Sequence, residues 1–162
     1  MPDATSVLLV ILRWIHFLWG VTWIGTIFYL RAVELPFMKS RGDLRLSADA
    51  ISRLNLVLVA TSIIGLTAGV VMALFLTGLN ANVFTSSPWG FSIFIGAIFA
   101  LVALVATFAG FIPTLERLSS EKRSASEQAL LLRKGELWLN LAALSGVLVL
   151  FMMAYAGSLG FG

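Results

Sequence analysis

Two ionisable side chains stand in a segment that otherwise reads as hydrocarbon. In the run LLVILRWIHFLWGVTWIGTIFYL, Arg13 and His16 are three positions apart, and Gly20 and Trp23 continue the same helical interval. At 3.6 residues per turn the four share one face of a helix, in the order Arg13, His16, Gly20, Trp23. Ionisable groups inside a span are costly and tend to mark function. A neutral imidazole can serve as an axial ligand to haem or bind a copper ion. Gly20, one turn away, leaves space for a flat macrocycle, and Arg13, one turn toward the N-terminus, suits a propionate. The alternative is a buried histidine hydrogen-bonded to a backbone carbonyl, or to Ser or Thr on a neighbouring span. His16 is the chain's single histidine. A second ligand would therefore come from Met152 or Met153, from a second copy, or from a partner.

Arg13 is expected roughly 10 Å below the start of its helix, at about 1.5 Å per residue. Asp and Glu are missing from every apolar span, and Asp3 is the single acid expected on that side of the membrane. Two roles follow for Arg13. It can snorkel to lipid phosphates, or meet an anion from elsewhere: a haem propionate, a carboxylate of a neighbouring subunit, or a bound lipid.

The elements that must position these groups follow from hydropathy. Of the 162 residues 59% are hydrophobic and 12% charged, with a mean hydropathy of +0.98. Soluble domains carry about 25% charged residues. Apolar stretches of about 18 residues or more are long enough to cross a bilayer core, and four occur: about 7–30, 54–76, 89–115 and 137–157. The predicted fold is an all-α, integral membrane four-helix bundle of up-down topology, a single transmembrane domain over 1–162. No segment alternates as the strands of a membrane barrel do. Residues 1–7 hold no basic residue, and no small-residue cleavage pattern follows the first apolar run, so that run is expected to be retained as a span.

Arg31, Lys39, Arg41, Arg45 and Arg53 surround the first loop, and Arg117, Lys122, Arg123, Arg133 and Lys134 the third. The second loop, TGLNANVFTSSP, and the C-terminal tail have none. The positive-inside rule places loops one and three in the cytoplasm and both termini outside, in a bacterial inner membrane. The net charge of +3 thus reads as topology signal facing an anionic leaflet, not as a nucleic-acid surface. Trp14 and Trp89 are expected near the outer interface and Trp138 near the inner one. Zero cysteines exclude disulfides, thiolate metal sites and thiol catalysis. The lack of acids within the spans argues against a proton-driven transporter.

Local signals complete the frame. Ser124 with Glu127 forms a capping-box pattern that starts the fourth helix near Ala125. Asp43 to Arg53 mixes leucines with charges and can extend the second helix. Pro113 is expected to kink or end the third. Asn55 and Asn140 are expected to hydrogen-bond across helices. Gly65 and Gly69, Ala106 and Gly110, and Ala142 and Gly146 have small-xxx-small spacing, which lets helix backbones approach closely; packing within the chain is expected, with a dimer seam as the alternative.

The stretch RWIHFLWGVTWIG, residues 13–25, resembles the opening helix of the urate oxidase N-terminal membrane-domain family and of copper-resistance protein D-like membrane proteins, with His16, Trp23 and Gly25 its most specific positions. FIPTLERL, 111–118, is similar to that urate oxidase group's helix-ending proline and basic segment. LNLAALSGVLVLFMMAYAG, 139–157, is similar to its closing helix, with Asn140, Ser145 and Met153 in matching places. Family members often carry more histidines, and larger ones have extra spans and a cytochrome c domain. The resemblance implies a redox-associated membrane module with His16 as candidate ligand.

Taken together, the expected function is a small non-catalytic integral membrane subunit that anchors or stabilises a larger electron-transfer complex. Its partners are lipid and other membrane subunits, with a homo-oligomer left open. The isolated chain is expected to hold no cofactor. The alternatives are a haem b electron-transfer module and a copper-resistance-type metal transporter, each using His16.

Overall fold

The computed structural model describes residues 4–41, 48–120 and 124–159. Helix α1 (Ala4–Tyr29) runs through a π-helical turn (Leu30–Glu34) into α2 (Leu35–Arg41). Helix α3 (Ala48–Thr77) returns, and a short α4 (Val83–Ser86) leads to α5 (Pro88–Val105). A second π-helical turn (Ala106–Phe111) continues α5 into α6 (Ile112–Ser120), and α7 (Ala125–Leu159) closes the fold. The result is an all-α bundle with four helical rods long and apolar enough to cross a membrane, as expected of a multi-pass membrane protein. Neighbouring rods alternate in direction, so Ala4 and Leu159 lie at one end. Among the described residues, Arg31, Lys39, Arg53, Arg117, Arg133 and Lys134 gather toward the other.

The helices overrun the expected spans because their ends are capped and their polar groups are satisfied internally. At the start of α5, the Ser87 hydroxyl accepts from the Gly90 N–H at 3.0 Å and Pro88 occupies the first helical position. The capping box before α7 forms: the Ser124 N–H donates to Glu127 Oε2 at 3.1 Å, and the Glu127 N–H reaches the Ser124 hydroxyl at 3.4 Å. Within the rods, Thr22, Thr61, Ser62, Thr77, Ser92, Thr107 and Thr114 each donate to the carbonyl four residues earlier. Each hydroxyl proton is thereby used inside its own helix. Helix α3 ends at Gly78 (φ 58°), followed by Leu79 at φ 67°. Left-handed backbone is natural for the glycine and strained for the leucine.

Of the two outcomes expected at Pro113, a kink and an end, the end does not occur. Helix α6 continues to Ser120, and the irregularity lies upstream, in the π-helical turn Ala106–Phe111. The same arrangement recurs in the first rod, where the π-helical turn Leu30–Glu34 precedes Pro36. A proline ring collides with the carbonyl four residues back and offers it no N–H. Those carbonyls belong to Ala32 and Ala109, each inside its π turn, where the wider helix relieves the collision. Of the segment Asp43–Arg53, residues 48–53 are helical in α3, and 43–47 lie outside the described residues.

Two helix pairs carry most of the packing, α1 with α3 and α5 with α7, while contact between the pairs is thinner. Ile27, Leu58 and Leu139 are fully buried where the pairs meet. Toward the basic end, polar ties join them. Arg31 Nε donates to Asn140 Oδ1, and Glu136 lies between Lys39 Nζ at 2.7 Å and Arg31 Nη2 at 3.5 Å. All three ionic side chains keep a quarter to two-fifths of their surface exposed, so screening is substantial. Glu136→Gln is expected to lower unfolding stability in detergent by no more than about 1 kcal/mol, measured by thermal melting at low and high salt. Equal melting points at low salt would show that the Glu136 ion pairs add nothing to the hold between the two pairs.

Candidate functional site

His16, on α1, is anchored rather than loose. Its Nδ1 lies 2.7 Å from the Gly65 carbonyl oxygen on α3. A carbonyl only accepts, so Nδ1 carries the proton and donates. Gly69, one turn along α3, makes this possible. A Cβ built there would lie 2.7 Å from His16 Cε1 and 2.8 Å from Nδ1, so the imidazole occupies the space a side chain would need. A Cβ built on Gly65 would meet Trp19 Cβ at 3.6 Å and the Gly20 N at 3.8 Å. Both glycines of the GxxxG thus lie in the α1–α3 contact within the chain.

With Nδ1 committed, Nε2 is the ring nitrogen left for a ligand. His16 lines a groove with a cavity volume of about 90 Å³, open along one side, whose walls come from all four rods. Gly20, Trp23 and Ile24 of α1 face it, with Thr61, Ser62 and Gly65 of α3, Leu104 of α5, and Gly146 and Met153 of α7. Sites in helical bundles are built in this way, from facing helices around a shared core. Above Gly20 nothing approaches within 4 Å, whereas Gly146 receives the Ile24 side chain at 3.4 Å. Ala142, one turn earlier in α7, is fully buried.

The structure separates the residues singled out by sequence. His16, Gly20 and Trp23 come together in the groove. Arg13 does not line it; it lies one turn beyond the groove's end with an exposed side chain. Met153 faces His16's cavity, while Met152 packs over Gly96. Gly110 lies beneath the Trp138 indole, next in its series to a fully buried Ala106. Asn140 bonds across helices to Arg31; Asn55 is half-buried. Among the described residues no group of three or more His, Asp or Glu side chains is gathered as a metal cluster.

Three groove residues have polar groups whose setting no sequence motif revealed. The hydroxyls of Thr61 and Ser62 donate to Val57 O at 2.7 Å and Leu58 O at 2.6 Å, so their protons are used within α3. Trp23 is more than nine-tenths buried, and its indole N–H has no acceptor. It is the one such buried side-chain group among the described residues. A small polar residue four positions from a GxxxG glycine was the available signal for Thr61; for the Trp23 N–H there was none. Comparison with protein-family models, with curated proteins and with solved structures gives no match to this chain.

Proposed function

We propose that the chain is a small integral membrane subunit of an electron-transfer complex, and that it holds a redox-active small molecule against His16. One observation carries this. The only histidine is fixed by Gly65 with Nε2 left for a ligand, at a groove shared by all four rods. The resemblance of residues 13–25 to redox-associated membrane modules supports the same assignment. An anchoring role is supported by the first half of α1, which leaves Val7, Val10, Ile11, Trp14, Phe17 and Leu18 broadly exposed on the bundle. In this reading the basic loops face the cytoplasm and the termini the other side. Affinity-tagged chain solubilised in mild detergent is expected to bring a redox-active membrane subunit with it. A chain that runs alone from its native membrane would overturn the subunit assignment.

A second reading is favoured by Met153. It places a thioether on the groove that His16 also lines, and His with Met is one of the axial pairs that hold haem iron. In that case His16 Nε2 and Met153 would hold haem b. The bound haem would supply one-electron Fe(III)/Fe(II) exchange, and the protein would supply orientation and a dry, apolar surround. The purified chain would then show a b-type band in a reduced-minus-oxidised spectrum, lost in His16→Ala. A colourless chain from cells supplied with haem would sink this version and leave the subunit reading in place. A copper transporter has less to stand on, one imidazole and one thioether; unchanged cellular copper on deletion would remove it.

A further inference from the structure

Beyond the electron-transfer reading, we propose that the bundle carries a lipid site. One acyl chain of an anionic phospholipid lies in the groove, with its phosphate on Arg13. The groove surface is almost wholly apolar, and one small residue from each rod lines it: Gly20, Gly65, Ala100 and Gly146. Its cavity of about 90 Å³ is worth roughly six to nine water-sized spheres, each about 10–15 Å³ on this measure. Apolar cavities stay dry, so water does not fill it. In a bilayer the filler at hand is hydrocarbon, which restores the dispersion contacts that an empty groove forgoes. From His16 to Ile24 the groove follows α1 for eight residues, ~12 Å at about 1.5 Å per residue. One leaflet contributes about 15 Å of the hydrocarbon core, so the groove takes most of a single chain's depth. Its open side admits that chain from the surrounding lipid. A redox-active molecule reaching His16 would exchange with it.

Charge decides which lipid. Arg13 stands seven residues before Gly20 on α1, and seven residues return a helix to within about 20° of the same direction. Gly20 is central among the α1 residues that line the groove, which run from His16 to Ile24. Arg13 therefore projects over the end of the groove rather than away from it. Its depth also fits. Arg13 and Arg31 are eighteen residues apart, ~27 Å along the rod, against a hydrocarbon thickness of about 30 Å. Arg31 belongs to the polar ties of the basic end. Arg13 thus falls near the ester and phosphate layer of the opposite leaflet, where a guanidinium fork matches phosphate oxygens. Among the described residues no acidic side chain stands at that end; Asp3 lies outside them. Nothing described there receives the ammonium of a zwitterionic headgroup, so a lipid of net negative charge is preferred.

The test is native mass spectrometry of the full-length chain in mild detergent, with phosphatidylglycerol or phosphatidylcholine of the same acyl chains added. One phosphatidylglycerol per chain is expected, retained ~5-fold more tightly than phosphatidylcholine, a gap of about 1 kcal/mol. Arg13→Gln should lose that preference and keep its melting temperature. Gly20→Leu should shed both lipids, because its side chain takes the place of the acyl chain. A Cβ at position 20 meets nothing within 4 Å, and leucine is the better helix former, so that variant is expected to fold. Equal retention of the two lipids by the native chain would overturn the proposal, as would an undiminished preference in Arg13→Gln. Full lipid retention in a folded Gly20→Leu chain would place the acyl chain elsewhere and overturn it too. Displacement of the lipid by inorganic phosphate would show that the headgroup binds without help from the groove, against the proposal. A lipid-free dimer would also sink it, since a second copy would then cover the groove.

Discussion

Gly69→Ala is expected to weaken ligand binding at His16 while leaving the bundle folded. The added methyl would lie 2.7 Å from Cε1, 2.8 Å from Nδ1 and 3.5 Å from Nε2 of the imidazole. Carbon atoms in contact rest at about 3.5–4.0 Å, so the ring must move by roughly an ångström. It is not the far end of a flexible chain, because Nδ1 is held 2.7 Å from the Gly65 carbonyl. Displacing it breaks that bond and turns Nε2 away from its place in the groove. Alanine is the better helix former by about 1 kcal/mol, which offsets much of the packing cost in overall stability. The effect should therefore appear in binding more than in melting temperature. Losing a buried hydrogen bond and leaving a polar group unmade costs about 1–3 kcal/mol, so affinity should fall ~5- to 100-fold. Gly65→Ala is the control. Its methyl would meet Trp19 Cβ at 3.6 Å, an ordinary contact, and binding should stay near that of the native chain. The two glycines of one motif should thus behave in opposite ways, measured by ligand binding and thermal unfolding on the same samples. Native affinity in Gly69→Ala would show that His16 does not touch the ligand.

The parts of this molecule that could be read from sequence are those set by one helix at a time. Long apolar runs specify four rods because the signal is summed over some 20 residues. The Ser124–Glu127 cap is legible because both partners lie within one turn. The shared face of His16, Gly20 and Trp23 follows from helical period alone. Features that need two or more rods were not legible. The acceptor for His16 is a backbone carbonyl, and every residue carries one, so composition gives no hint of Gly65. Glu136 falls one residue before the expected fourth span, and its ties to Lys39 and Arg31 depend on how α7 meets the first rod. Trp23's buried N–H depends on packing from all four rods. Pro113 left two outcomes open for a different reason. A proline's clash can be absorbed upstream by widening the helix, and the π turns before Pro36 and Pro113 show that this chain does so twice. Arg13 was expected to share the site with His16, but the groove stops one turn short of it.

Gly110→Ala should produce a large loss of stability, because here the collision falls in the tightest helix pair. A Cβ at position 110 would lie 2.3 Å from Trp138 Cδ2 and 2.5 Å from Cγ. These are the inner atoms of the indole, so the whole ring must shift rather than its edge. Gly110 is buried, and its neighbour Phe111 belongs to the core that α5, α6 and α7 share. Inserting a methyl into such a contact costs about 1–3 kcal/mol. Gly135→Ala, across the same helix pair, meets Thr114 Cγ2 at 3.4 Å and should be tolerated far better. If the Trp138 contact is the cause, Trp138→Leu should restore part of what Gly110→Ala loses. The double variant would then be more stable than the sum of the singles by about 0.5–3 kcal/mol. Additive losses would mean that the methyl strains the π turn itself instead of the indole. The same samples bear on the small-residue spacing of the second half of the chain. A seam built for packing within the chain loses melting temperature at unchanged particle mass. If Gly110→Ala instead kept its melting temperature and halved the particle mass in detergent, the Gly110 face would join copies of the chain.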